Sequence, residues 1–543
     1  MRVLSLLGAL SLALGAHSRH HASDHRHIND NPKRIAIIGA GAAGTSAAYH
    51  LRTLSTGAFP LSITIFDRAS YIGGRSTTVN AFSSPEHPIE LGASIFVPVN
   101  QILVNATARY NLPTDSHGDR KPDGWTGAAL GIWDGESIVF AQSTSSTVWD
   151  AIKLLWRYGL APLAAQRAVK DMVERFMGMY DGTWKDIGEE AGRVGLSAMA
   201  GLTGEQVLKE KGVSDLFARE VVQAATRVNY AQNIGVISGL ETMVCLAPDG
   251  AMAVEGGNWR IFEAMAKDGA DEVLLNTEIK KVIRHENGSY GLTFTKSKVT
   301  RQGVKVFKDE SAIFDEVIIA GPYQYTNLTI QPPLDYTPDP VPYVSLHVTL
   351  FTSPLLLSTA YFKQPANTPV PLVVLTTLPE ADYPRDSNKP TNAGRPGFFS
   401  ISMLRTIVNP KTQQTEYLYK IFAPDPLTPG FLAQILGIAT PGSFEGFPEN
   451  EVSWLHRKTW DSYPVEWPRV TFERLSLGPG LWYTGGMDSF ISTMETNALS
   501  GMNIAKLMIE KWTKAAGRLA SESTLSEQDM ADIEQKMEFK LKR

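Results

Sequence analysis

Two apolar runs, Arg34-Ile-Ala-Ile-Ile38 and Leu61-Ser-Ile-Thr-Ile-Phe66, flank a stretch of small residues, and the contrast predicts a strand, a helix to about residue 54 and a second strand. Gly39-Ala-Gly41-Ala-Ala-Gly44 joins the first strand to the helix. In a βαβ unit such a turn aims backbone N–H groups and a helix N-terminus at a pyrophosphate. Gly39 permits the tight turn, Gly41 the close approach of the phosphates, and Gly44 the packing of helix on sheet. Asp67 closes the second run, where an acid accepts hydrogen bonds from a ribose.

Further along, apolar positions recur at helical spacing over 148–180 and 203–230, so 148–235 reads as a helical insertion. Its Met and aromatic stripe is read first as core and second as a greasy channel. A helix is expected over Ile261–Ala266, one strand over Val273–Ile283, a hairpin or exposed turn at the charged residues 299–310, and a buried strand in Phe314–Pro322. Prolines and β-branched runs over 335–470 predict a mixed sheet. Leu481–Asp488 reads as a strand with a glycine turn and an acid, and Met494–Trp512 as a helix. The fold class is α/β: a discontinuous Rossmann-like nucleotide domain over 33–100, 250–330 and 475–515, with a helical and mixed-sheet substrate domain over 101–249 and 331–474.

A length of 543 residues calls for more than one core. The formal net charge of −5, without a long basic stripe, argues against a nucleic-acid partner. Residues 1–18 hold one basic residue, a short apolar stretch and small residues near Ala16, the pattern of a secretory signal peptide; a membrane span needs roughly 20 apolar residues. In that context Asn105, Asn287 and Asn327 head glycosylation sequons. Cys245 is the one cysteine, which excludes an intramolecular disulfide and a CxxC centre. Five histidines crowd residues 19–32 and the two positions before them; they read as a flexible polar N-terminus, and no metal site is assigned. Residues 516–543 form a polar tail.

After the second strand, Gly73-Gly74-Arg75 offers close backbone approach and a fixed cation for phosphate or flavin oxygens. One dinucleotide fingerprint, this Arg-bearing turn and the C-terminal strand, turn and helix describe a single firmly held FAD, with the helix N-terminus aimed at the flavin. The electron acceptor is then expected to be O2 or a protein. Trp482 and Tyr483 either wall the flavin or fill the core.

Leu130-Gly-Ile-Trp-Asp-Gly-Glu136, Lys153-Leu-Leu-Trp-Arg-Tyr-Gly159, Arg227-Val-Asn-Tyr-Ala-Gln232, Ala253-Val-Glu-Gly-Gly-Asn258 and Gly486-Met-Asp-Ser with Met494-Glu495 together resemble the prenylcysteine oxidases, also called prenylcysteine lyases. The resemblance implies an FAD thioether oxidase of the amine-oxidase-like superfamily, in the lysosomal or vacuolar lumen or secreted. Such an enzyme cleaves farnesyl- or geranylgeranylcysteine with O2 to prenyl aldehyde, cysteine and H2O2, in the catabolism of prenylated proteins. It also implies cofactor contacts at Glu90, Gly92, Ala93, Val282, Gly486, Asp488, Met494 and Glu495, with Glu90 and Glu495 reading equally as buried hydrogen bonds of a loop or helix. Arg227, Asn229 and Tyr230 are candidates either for the substrate's polar end, an Arg being able to hold a carboxylate bidentately, or for a structural hydrogen-bond cluster between domains. A lipophilic substrate implies contact with a membrane surface. Two other readings share the scaffold: an amine-oxidase or desaturase type FAD enzyme acting on another lipophilic metabolite, and a prenyl-binding carrier without flavin.

Overall fold

The computed structural model describes residues 31–55, 59–116, 122, 124–143, 147–300, 304–379 and 391–516. The signal-like stretch, the His-rich segment up to residue 30 and the tail from 517 lie outside them.

Strand β1 (Lys33–Ile38) is the centre of a six-stranded sheet. It pairs in parallel with β2 (Leu61–Phe66), Ile37 opposite Ile65, and on its other side with Glu316–Ile319, Ile37 opposite Ile318. Leu481–Tyr483 extends the sheet beyond Glu316–Ile319, and Glu272–Leu274 lies beyond β2. Both faces are covered, so these strands are apolar throughout rather than alternating: Ile35, Ala36, Ile37, Val317, Ile318 and Ile319 are all fully buried. Helix α1 (Ala42–Ser55) packs its small residues Ala43, Ala47 and Ala48 into the core on one face. The parallel sheet is thus assembled from three separated pieces of chain.

The strand expected over 273–283 is two strands. Asn276 has φ +53°, a left-handed conformation that Asn tolerates better than most residues, and the chain leaves the parallel sheet there. Thr277–Arg284 then joins a four-stranded sheet with Tyr290–Val299, Lys305–Phe314 and Thr329–Gln331. Residues 305–314 are therefore a full strand, paired antiparallel along their length with Tyr290–Val299, so the hairpin expected there holds and the exposed turn does not. Most of their side chains face solvent, which removes the apolar alternation that signals a strand.

The second half of the molecule is built on a seven-stranded sheet. Its order is Trp454–Pro464, Tyr343–Ser353, Thr415–Ala423, Ser400–Val408, Val373–Thr376, Leu130–Trp133 and Ile138–Gln142. Val373–Thr376 pairs in parallel with Leu130–Trp133 while the other neighbours are antiparallel, which makes the sheet mixed. Helix α2 (Gln101–Arg109) belongs with the nucleotide half, contrary to the boundary drawn at residue 101: Arg109 and Tyr110 bond Asp268, and Glu495 caps its N-terminus. The helical insertion opens with α3 (Thr147–Tyr158) and α4 (Ala161–Met177) and runs on to Cys245. A last helix spans 494–516. Among the described residues no helix is long and apolar enough to cross a membrane. Asn105, Asn287 and Asn327 are all exposed.

Candidate active site

A cavity of about 1230 Å³ runs from the β1–α1 turn to the seven-stranded sheet. Ligand pockets for drug-sized molecules span roughly 300–1,000 Å³, so this one has room for a dinucleotide and a second molecule. At the turn, Gly39 has φ +119°, and a Cβ there would stand 2.5 Å from the Ala320 carbonyl oxygen. A Cβ at Gly44 would lie 1.9 Å from the Gly39 oxygen, so only glycine lets α1 start this close to β1. Gly41 is different: a Cβ built on it meets only the Gly74 Cα, 3.9 Å away, and would fill space that opens into the cavity. Gly41, Ala42 and Gly74 thus form a cradle fitting a dinucleotide pyrophosphate, at a helix N-terminus with no acid in its first turn.

Asp67 lines the cavity beside this cradle. Its Oδ2 accepts from the Ala40 amide and its Oδ1 from the Ala69 amide, both at 2.7 Å. Each oxygen keeps a lone pair for a hydroxyl. Burial raises the carboxyl above its usual range, and the two amides oppose that rise. Arg68, which the motif did not single out, lines the same wall and donates to the Tyr325 carbonyl at 2.8 Å. From the strand Thr277–Arg284, Thr277, Glu278 and Ile279 reach the cavity. Val282 does not: its side chain is in the core and its backbone pairs with Leu292 and Ile330, which corrects its placement at the cofactor.

Arg75 and Asp488 meet across the cavity. The guanidinium Nη2 donates to both carboxylate oxygens, at 2.8 and 3.0 Å; Tyr343 and Asn497 each add a bond of 2.9 Å. Burial pushes the Asp488 carboxyl up, but Arg75, Asn497 and Tyr343 outweigh it and hold the group below the usual range. Glu241 and Glu466 are buried nearby, with both oxygens of Glu241 and Oε1 of Glu466 lacking hydrogen-bond partners. Burial raises Glu241 to about 8 and Glu466 well above its ordinary value. Asp488 is the carboxylate that Arg75 pairs with, 2.8 Å away.

Gly92 and Ala93 also line the cavity, and the loop is fixed from behind. The Asn258 amide group donates to the Ala93 carbonyl at 2.9 Å, and the Asn258 backbone N–H donates to Glu90 Oε1 at 2.6 Å. Glu90 is not a wall residue; burial raises its carboxyl to about 7, and its role is to orient Asn258. Lys420, which the sequence reading missed, enters from the seven-stranded sheet. Its Nζ donates to the Glu90 carbonyl at 2.8 Å and to Ser94 Oγ at 3.2 Å, and burial lowers it to about 8 against the pull of Glu90.

The last helix brings Met494 and Glu495 to the cavity. Glu495 spends both oxygens on α2, accepting from the Ile102 and Leu103 amides at 2.8 and 3.0 Å, and takes a further bond from the Tyr180 hydroxyl at 2.5 Å. It caps a helix rather than offering a free group to a cofactor. Gly486 is off the wall, packed against the Glu473 carbonyl, and Trp482 and Tyr483 fill the core.

The substrate-end candidates separate. Asn229 and Tyr230 line the cavity, and the Tyr230 hydroxyl donates to the Ser492 carbonyl at 3.0 Å. Arg227 is fully buried away from the cavity, donating to Thr376 Oγ1 and to the carbonyls of Asn392, Ala393 and Phe398. It ties the helix Gln223–Tyr230 to the sheet and cannot hold a substrate carboxylate. The remaining wall is largely apolar, with Met172, Val173, Phe176, Leu372, Phe422 and Trp460. Cys245 is also there, its thiol raised by burial and not activated. Among the described residues no cluster of His, Cys, Asp or Glu is arranged for a metal.

Solved structures with the same architecture include putrescine oxidase bound to putrescine (TM-score 0.53, 13% identity, 88% of this chain and 99% of that one) and cyclohexylamine oxidase from Brevibacterium oxydans (TM-score 0.50, 14% identity, 89% and 100%). They establish the fold. Residues 37–110 match the NAD(P)-binding Rossmann-like domain, and residues 141–520 match the prenylcysteine lyase family. Curated relatives include a farnesylcysteine lyase from Arabidopsis thaliana, 28% identical with 89% of each chain covered, and a prenylcysteine oxidase 1 from Mus musculus, 26% identical with 89% of this chain and 90% of the relative covered. With the family match extending over the helical insertion, the substrate sheet and the closing helix as one, this chain belongs to the prenylcysteine lyase family.

Proposed function

We propose that this FAD oxidoreductase cleaves the thioether of a prenylated cysteine, farnesyl- or geranylgeranylcysteine, with O2 and water, to prenyl aldehyde, cysteine and H2O2. One observation carries it: a single cavity joins the dinucleotide cradle at Gly41 and Gly74 to a largely apolar wall fit for an isoprenoid, and Lys420 lines the same cavity. Bound in the cradle, FAD supplies a two-electron hydride acceptor that O2 restores.

The protein's own part is placement, dryness and one proton. The C1 hydrogens of the prenyl group are allylic and next to sulfur, so positive charge developing at C1 spreads onto the double bond and sulfur. No strong base is needed for that step. Water adding to C1 gives a thiohemiacetal; its C–S bond then breaks with the electron pair leaving on sulfur, yielding aldehyde and thiol. Lys420 Nζ takes the hydroxyl proton of the thiohemiacetal as the carbonyl forms and gives it to the departing sulfur, while the proton released when water adds ends in H2O2. Asn229, Ser400 and Ser402 on the same wall meet the amino-acid end.

Because the Lys420 ammonium is lowered to about 8, its neutral, proton-accepting fraction grows as pH rises through that value. Turnover should therefore climb with pH to a plateau above about 8. Lys420→Met is expected to lose about 10²-fold in kcat and to lose this limb of the profile, which steady-state rates across pH will read. An unchanged profile contradicts the assignment.

The signal-like N-terminus and the exposed sequons support a glycoprotein of the secretory pathway, in the lysosomal or vacuolar lumen or secreted, that collects its lipophilic substrate at a membrane surface. Purified protein should release peroxide with farnesylcysteine and none with primary amines. The reverse result would assign it to amine oxidation.

A further inference from the structure

Helices α3 and α4 meet at Gly159 and leave a patch of apolar side chains open. Ile152, Leu155, Trp156, Leu160 and Leu163 are 48, 55, 88, 66 and 46% exposed. Single exposed apolar residues are ordinary; five of them within one helical hairpin, with an indole almost bare, mark a contact surface. Over residues 147–177 cations outnumber acids, five to three, and most of them are ion-paired. Residues 151–170 carry Lys153, Arg157, Arg167 and Lys170 and no Asp or Glu, in a chain of formal net charge −5. Lys153, Arg157 and Lys170 lean on Asp150, Glu220 and Glu174, at 3.6, 2.7 and 3.8 Å, while Arg167 has no ion pair among the described residues.

The same hairpin is continuous with the active-site cavity. Met172, Val173 and Phe176 of α4 form part of its wall. So does Ser143, whose amide donates to Asp150 Oδ2 of α3 at 2.9 Å. An apolar outer face on the helices that also wall the cavity, with cations in excess and Arg167 unpaired among the described residues, matches the layering of a bilayer surface, where Trp and Leu enter the headgroup boundary and Lys and Arg meet anionic phosphates.

We infer that the α3–α4 hairpin docks this protein on the surface of an anionic lipid bilayer and sets the cavity mouth against it. The cargo that would enter rests on the prenylcysteine reading; the docking itself does not.

Co-sedimentation of the full-length protein with phosphatidylcholine vesicles, with and without phosphatidylserine, tests this. Wild type is expected to sediment with the anionic vesicles, less so as salt is raised, and Trp156→Ser with Leu160→Ser to weaken binding about tenfold or more. The double variant should keep wild-type turnover of farnesylcysteine in solution, since neither residue lines the cavity. Absence of vesicle binding, equal binding by the variant, or a concentration-dependent dimer that the variant abolishes would overturn the inference. Vesicle binding without farnesylcysteine turnover would instead remove the proposed function and leave the docking surface standing.

Discussion

Gly44→Val is expected to yield protein that purifies without flavin. A Cβ at this position would stand 1.9 Å from the Gly39 carbonyl oxygen and 3.1 Å from Ile37 Cγ2. The first contact is backbone, so no rotamer change relieves it, and α1 must move away from the strand it packs on. Overpacking of this kind costs about 1–3 kcal/mol, and more where neighbours cannot give. The larger loss is functional, because the shift carries away the N–H groups that open on the cavity through Gly41 and Ala42. The ratio of flavin to protein absorbance reads the effect directly. Gly442→Ala, at a position where a Cβ meets nothing within 4 Å, should retain full flavin content. Wild-type flavin content in Gly44→Val would refute the cradle.

Arg75→Ala is expected to destabilise the protein more than any other single truncation in the cavity wall. It leaves the Asp488 carboxylate, 3% exposed, with Tyr343, Asn497 and Ser492 but no cation. Breaking a buried ion pair by removing one partner costs about 3–5 kcal/mol. The Arg75 side chain is 33% exposed on the cavity side, so screening brings the expected loss nearer to about 2–3 kcal/mol. Asp488→Asn in the same background removes the stranded charge. The double variant should therefore be more stable than the sum of the single losses, by at least about 1 kcal/mol in a double-mutant cycle. The pH dependence has a definite sign. A carboxyl held below its ordinary value contributes stability that is present above its unfolded pKa and lost as pH falls through the folded one. Arg75→Ala should accordingly flatten the acid side of the thermal-stability profile. Purely additive losses with an unaltered acid limb would show that the pair is incidental.

Residues close together in sequence were legible because local backbone chemistry dictates them. The Gly39, Gly41 and Gly44 turn, Asp67 and the Gly74-Arg75 pair all lie within one βαβ unit and its exit. Asp488 was legible because a strand, a glycine turn and an acid form one local pattern. Lys420 was not: it is one lysine in a strand of the substrate sheet, and only pairing with chain hundreds of residues away brings it to Glu90 and Ser94. Arg227 was left between a substrate anchor and a structural cluster for the same reason. Arg, Asn and Tyr at a helix end look like an anion site until the carbonyls of Ala393 and Phe398 arrive from the far sheet and satisfy the guanidinium. Glu495 lines the cavity and Glu90 sits behind it, yet both oxygens of Glu495 and Oε1 of Glu90 serve backbone amides that other segments supply. Strand 305–314 was left between a hairpin arm and an exposed turn because a solvated strand lacks apolar alternation.

Anaerobic mixing of the purified protein with farnesylcysteine tests the central claim most directly. Flavin absorbance near about 450 nm should bleach on mixing, and admission of air should restore it with release of prenyl aldehyde, cysteine and peroxide. A flavin-bearing protein that stays coloured with farnesylcysteine but bleaches with an amine would contradict the account, as would folded protein that carries no flavin and merely binds the prenyl chain.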